Sequence, residues 1–281
     1  MKKIALVLFG SVGFQEKPNN YSDKVLDPEI CFESMKNVLL NKFDVDIFIH
    51  SWNSPYDEKV SSLYKPKKIL IEKQINFETN LNDYSLSYID FHDEIGDLKY
   101  INEKPSEYLK NFIFRTKSRW HSQLKSLELM RDFKIKNKIN YEIVIQSRLD
   151  LILKHLDLES LNFEYVNLVN APHQNKHQLF DIFFVSNYEN SIKFFDIKDK
   201  LNKYPICPTN VLPIFFKDQK INYQKSLKLD DFILHRNLYK YHKINILKKI
   251  NRFLIARVIN ILSCIGYFAK KTQLTLNKFI N

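Results

Sequence analysis

Apolar runs of strand length alternate with helical spacings through the first half of the chain. "KIALVLFG" holds a continuous apolar stretch from Ile4 to Phe9 that stops at Gly10, which predicts a buried first strand. In "EICFESMKNVLLN" (29–41), Ile30, Phe32, Met35, Val38 and Leu39 recur at helical spacing. "FDVDIFIHSW" (43–52) and "PKKILIEK" predict two further strands. Strand, helix, strand and strand in that order imply an α/β layer around a mixed, mainly parallel sheet. Residues 74–112 are polar, Asn-rich and without a period, the mark of a loop-rich excursion such as a lid. From Ser118 to Lys138 a helix is expected, with Trp120, Leu124, Leu127, Leu129 (or Met130) and Phe133 toward the core. Strands follow at "YEIVIQSRLDLIL" (141–153), "YVNLVNA" (165–171) and "FDIFFVSN" (180–187). Three prolines make 205–216 a loop or an edge, and "LDDFILHRNLYKY" (229–241) returns to a helical pattern.

Composition narrows the chemistry. The 281 residues hold four glycines and contain neither G-x-G-x-x-G nor G-x-x-x-x-G-K-[ST]. P-loop kinases and dinucleotide-binding oxidoreductases are thereby disfavoured. Three scattered cysteines form no metal-ligand spacing and no disulfide framework, as expected of isolated thiols in a reducing cytosol. The opening "MKKIALVLFGSVGF" is too short in its apolar part for a signal peptide and reads as a core strand.

A net charge of +11 admits nucleic acid, an anionic membrane surface or phosphorylated substrates as partners. Its distribution points to the second. Residues 243–281 carry Lys248, Lys249, Arg252, Arg257, Lys270 and Lys271 among their basic residues and no Asp or Glu. The apolar "FLIARVINILSCIGYFA" (253–269) inside that tail is interrupted by Arg257 and Asn260 and falls short of the ~20 residues of a spanning helix. A basic amphipathic helix lying on anionic lipid fits it, as does a packing helix that completes the domain or a homodimer. Nucleic acid is disfavoured, because the basic residues interleave with aliphatic rather than stacking side chains. The expected organisation is one domain over 1–242 and the basic tail over 243–281.

Four places carry candidate chemistry. In "YEIVIQSRLDLIL", Arg148 and Asp150 share one side of a strand at the end of an apolar run, where open α/β sheets bind ligands. Asp150 suits a divalent cation shared with substrate phosphates, and Arg148 a phosphate; a plain ion pair at the sheet's rim is the competing reading. Asp230 and Asp231 open the next expected helix, where capping alone is one reading and a cap beside a general base the other; His235, one turn on, is a surface or packing residue or lies within reach of a ligand or metal. Asp181 stands alone inside an apolar strand, as an ordinary outward residue would. His50, Trp52 and Asn53 close the second strand with the mixture of aromatic and polar groups that a base or sugar pocket uses.

Together, "IALVLFG", "DVDIFIHSW", "SRWHSQLKSLELM", "YEIVIQSRLDL" and "FDIFFVSN" resemble the small bacterial glycosyltransferases of surface polysaccharide, capsule and lipooligosaccharide assembly, over roughly residues 1 to 240. The resemblance implies a single GT-A-like (Rossmann-like) domain. It implies a nucleotide-sugar donor, a glycan or lipid-linked acceptor, and a divalent cation (Mn or Mg). In the D-x-D motif of that fold, Arg148 replaces the first Asp and Asp150 matches the second. On the same resemblance Asp231, beside Asp230, is the candidate base, matching the acidic motif that supplies it in inverting members. Asp150 with His235 (or His242) would hold metal, and Arg148, His50, Trp52, Asn53 and Asp181 would line the donor site. The implied setting is cytoplasmic, peripheral on the inner face of the membrane. A phospho-group transferase on the same glycans and a non-catalytic assembly protein on a decayed transferase fold are the alternatives.

Overall fold

The computed structural model of the chain describes residues 2–12, 27–77, 105–171, 179–203 and 208–234. The basic tail, His235 and His242 lie outside them.

A seven-stranded sheet organises these residues: β1 (Ile4–Ser11), β2 (Val45–Trp52), β3 (Lys68–Glu72), β4 (Ile143–Arg148), β6 (Val166–Asn170), β7 (Leu179–Ser186) and β8 (Tyr223–Lys228). Their order across the sheet is β3-β2-β1-β4-β7-β6-β8. Strands β3, β2, β1 and β4 are mutually parallel, β7 is antiparallel to both its neighbours, and β6 pairs β8 in parallel. Six strands therefore run one way and β7 the other. The expected α/β class with a mixed, mainly parallel sheet is the one observed.

Both faces of the sheet are covered, which is why its central strands read as unbroken apolar runs. On one face Leu6, Leu8, Ile49 and Ile145 pack against Met35 and Leu39 and against the small sheet formed by β5 (Leu151–Leu153) and β9 (Phe232–Leu234). Helix α1 (Pro28–Met35) supplies Met35, and it starts where Asp27 caps it by accepting the Glu29 N–H at 2.9 Å. On the other face Val7, Phe9, Phe48 and Val144 pack against Trp120, Leu124, Leu127 and Met130 of the long helix α3 (Pro105–Asn137). Replacing a fully buried side chain such as Trp120 with Ala costs roughly 3–5 kcal/mol in a core of this kind.

Three expectations are corrected. Helix α3 begins at Pro105, well inside the stretch read as loop. Its buried stripe runs Ile113, Thr116, Trp120, Gln123, Leu127, Met130, so polar Thr116 and Gln123 occupy positions at which a periodicity reading looks for apolar ones. Residues 205–216 are not loop throughout: Pro208–Asp218 is helix α5. Pro208 opens it, where the missing N–H has no partner to lose. Pro213 lacks only the bond to the carbonyl one turn back, and Val211, Leu212, Phe215 and Phe216 bury the helix's inner face.

The third correction concerns 229–234 of the expected 229–241 helix, whose remaining positions lie outside the described residues. Leu229–Asp231 form a single 3-10 turn, and the chain then extends as β9, pairing antiparallel with β5. Phe232, Ile233 and Leu234 satisfy a helical or an extended pattern equally, and the partner strand decides. The same pairing breaks the expected 141–153 strand in two, since β4 ends at Arg148 and β5 starts at Leu151 in the second sheet. Helices α2 (Asp57–Tyr64) and α4 (Tyr188–Ile192), the 3-10 segment Lys193–Lys203 and strand β8 have no counterpart in the sequence reading.

Candidate functional site

The carboxyl ends of β3, β2, β1 and β4 lie side by side, and α3 crosses over β1, β2 and β3. The register sets Phe9 beside His50 and Arg148, and Trp52 beside Ser11 and Glu72. Since partners in a ladder point to the same face, β2 sends His50 and Trp52 to the α3 side, β3 sends Glu72 there, and β4 sends Arg148. Open α/β sheets bind ligands at this edge.

Between β2, β3 and α3 the three side chains His50, Glu72 and His121 converge. Glu72 Oε1 lies 2.9 Å from His50 Nε2 and 2.8 Å from His121 Nε2. The other nitrogen of His50, Nδ1, stands 2.7 Å from Ser122 Oγ, which accepts the Gly10 N–H at 2.7 Å. Gly10 holds φ at +114°, a backbone setting that side-chain-bearing residues rarely adopt, so a glycine there keeps this N–H aimed at Ser122. Trp52 stacks on the His121 ring at 5.3 Å with the planes 20° apart, and Phe77 meets His121 edge-on.

Exposure separates these groups into support and surface. His50 is 0% exposed and Trp52 4%, whereas the side chains of Glu72 and His121 are 29% and 22% exposed. His50 and Trp52 are therefore covered by α3, and they orient His121 and Glu72, which reach solvent. Asn53 is exposed and is tied in through its N–H, which donates to the Glu72 carbonyl at 2.8 Å. Desolvation lowers the pKa of His50 below its ordinary value despite the neighbouring Glu72 carboxylate. For Glu72 partial burial acts to raise the pKa, but the two imidazoles outweigh it and hold the carboxyl below the usual range.

One strand over, Arg148 and Asp150 form a bidentate pair: Nε donates to Oδ1 and an Nη to Oδ2, both at 2.7 Å. Both oxygens of Asp150 thus face a guanidinium across a two-residue turn. Among the described residues, no group of three His, Cys, Asp or Glu ligand atoms forms around Asp150. His50, Glu72 and His121 are the group that does form, with ligand atoms all within 4.8 Å of one another.

Asp181 is not an outward residue. It is buried, and Arg119 Nε donates to its Oδ2 at 2.7 Å while an Nη donates to its backbone carbonyl at 2.6 Å. The third arm of the guanidinium reaches Gln123, which donates in turn to Gln146 of β4, and Gln146 reaches Ser191 at 3.3 Å. Burial pulls the Arg119 pKa down to about 10, with Asp181 opposing and Arg148 assisting that shift, so the cation persists at neutral pH.

Asp231 lies elsewhere. It lines a cleft with His155, Asp157, Ser160, Ser226 and Lys228, and its carbonyl accepts the Lys154 N–H at 2.8 Å. The neighbouring Asp230 is exposed and offers its carbonyl to Lys154 Nζ at 3.0 Å. Because Leu151 pairs with Leu234 and Leu153 with Phe232, Asp150 and Asp231 precede opposite ends of the ladder. At about 3.3 Å per residue they stand roughly 13 Å apart along it.

Sequence reasoning passed over Glu72, His121, Ser122, Arg119 and Gln146. Glu72 had a readable signal, because it ends a strand as Trp52 does. His121 and Arg119 flank Trp120 in a helix read only for its apolar stripe, and nothing in one sequence pairs them with residues some fifty or sixty positions away.

No protein-family model matches the chain, and no curated protein does. Solved structures are similar at a distance. A nucleoside-diphosphate-sugar pyrophosphorylase from Vibrio cholerae RC9 is 9% identical at a TM-score of 0.40, over 83% of this chain and 95% of that one. The glycosyltransferase GlyE of Streptococcus pneumoniae TIGR4 is 11% identical at a TM-score of 0.35, over 82% of this chain and 45% of that one. A cytidylyltransferase from Leptospira borgpetersenii is 10% identical at 0.35, over 81% and 75%. All three lie below a TM-score of 0.5, too distant to argue from.

Proposed function

We propose that the protein is a glycosyltransferase with a GT-A-like domain, moving a sugar from a nucleotide-sugar donor onto a bacterial surface glycan. The observation that supports this reading is the row of polar groups at the carboxyl ends of the parallel strands. Glu72, His121 and Asn53 stand at one end of the row and Arg148 at the other. Two strand spacings of about 4.8 Å separate β2 from β4, a span that suits the base and diphosphate of an extended donor. Arg148 would meet the diphosphate, held in orientation by Asp150 and carrying the charge-neutralising part that a cation plays in the resembling enzymes. Asp231, in its own cleft, would take the proton of the acceptor hydroxyl, with Asp230 beside it at the mouth. Positioning and stabilisation of the departing diphosphate would supply most of the rate.

The acceptor is proposed to be lipid-linked, with the tail 243–281 on anionic lipid at the cytoplasmic face. Among the described residues no helix is long and apolar enough to cross a membrane.

A panel of nucleotide sugars, scored for thermal stabilisation and for released nucleoside diphosphate, tests the activity. Stabilisation by one donor with diphosphate release is the expected result. Release of nucleoside monophosphate would instead establish a phospho-group transferase, and no response to any donor would sink the enzyme reading. Truncation at Lys243 should abolish binding to anionic liposomes; unchanged binding would overturn the membrane assignment.

A further inference from the structure

We propose that His50, Glu72 and His121 form a binding site for a single divalent transition-metal ion, of which Zn²⁺ is the best-suited probe. The site stands apart from the Arg148–Asp150 pair and does not depend on the transferase reading.

Geometry carries the proposal. Two ligand atoms that share an ion at ~2.1 Å stand ~3.0–3.4 Å apart, depending on the angle between them. The two nitrogen–oxygen separations here are 2.9 and 2.8 Å, and the three donors lie within 4.8 Å of one another. A small outward rotation of the Glu72 carboxylate opens the space an ion needs. Two imidazoles and one carboxylate are a donor set that first-row divalent metals accept, and three protein ligands leave further positions open. Those positions face solvent, because Glu72 and His121 are the partly exposed members and His50 ligates from the buried side.

The surroundings supply what a metal-bound histidine needs behind it. Ser122 Oγ receives the Gly10 N–H, and its own proton is directed at the His50 carbonyl, 3.4 Å away. That leaves a lone pair for an N–H on His50 Nδ1, 2.7 Å off, which supports the tautomer whose Nε2 would ligate the ion; without the ion, Nε2 carries the proton given to Glu72. Stacking on Trp52 sets the plane of His121. All three donors come from regular elements, two strands and a helix, so their positions are set by the core and not by a loop.

The test uses the full chain, stripped with a chelator and titrated with Zn²⁺. One equivalent bound per chain, with an X-ray absorption spectrum showing two imidazoles and oxygen donors, is the expected outcome. Glu72→Gln combined with His121→Gln should lower the affinity at least 100-fold, while Asp150→Asn should leave it unchanged. Absence of stoichiometric binding by the wild-type chain would overturn the site and leave Glu72 as the shared acceptor of two imidazole N–H groups. Sulfur or single-imidazole coordination in the wild-type spectrum would overturn it equally, whether or not the double variant folds.

Discussion

Arg119 and Asp181, 62 residues apart in the chain, close a buried ion pair at 2.7 Å between α3 and β7. Removing one partner of such a pair takes from the other its main counter-charge in the core, at a cost of roughly 3–5 kcal/mol. Arg119→Met should therefore lower the free energy of unfolding by that much, seen as a lower urea midpoint at an unchanged slope. The double variant Arg119→Met/Asp181→Leu should recover a large part of the loss, and a cycle of urea melts measures the coupling.

Arg148 and Asp150 have separable parts under the proposed function. Arg148→Ala should abolish the stabilisation that a nucleotide sugar confers, because the diphosphate loses its cation. Asp150→Asn should weaken that stabilisation without abolishing it, since the guanidinium remains but one strong acceptor is gone. Equal loss in both variants would show that Asp150 meets the donor itself. Thermal melts against donor concentration read the difference.

Asp231→Asn should leave donor binding intact and slow turnover. Loss of a general base typically costs 10²–10⁴-fold in rate. Single-turnover kinetics with saturating donor isolates that step. A turnover rate equal to wild type would move the base elsewhere.

Alkaline conditions should destabilise the fold through Cys31 and Tyr141. Burial pushes both groups well above their ordinary values of 9.0 and 10.0, with Asp150 reinforcing Cys31 and the hydrogen-bonded Asp46 reinforcing Tyr141. A raised native pKa means that the unfolded chain releases these protons first. The stability they contribute is thus complete below about pH 9 and is lost as pH rises further. Urea midpoints at pH 8 and pH 10.5 should differ in that direction, and Cys31→Val should remove the earlier part of the decline.

The parallel half of the sheet was legible because burial on both faces leaves continuous apolar runs, as in Ile4–Phe9 and Ile143–Ile145. What stayed hidden involves polar residues placed inside that core. Thr116, Gln123 and Gln146 interrupt the periods a reader counts, yet each is buried. Short segments such as Phe232–Leu234 take their conformation from a partner strand, which no local pattern encodes. At the site, His50, Trp52 and Arg148 were visible as strand ends. Their partners Glu72, His121 and Ser122 became meaningful only when α3 was laid across β2 and β3.

That crossing has a mechanical consequence. Arg119, His121, Ser122 and Gln123 fall within five consecutive positions of one helix, about 6 Å of its axis at 1.5 Å per residue. Through them α3 engages β7, β3, β2 and β4 at once. A key with four cuts turns every pin or none. A slide of α3 by even one residue would break the Glu72 cluster and the Asp181 pair together, so the two depend on one helix register.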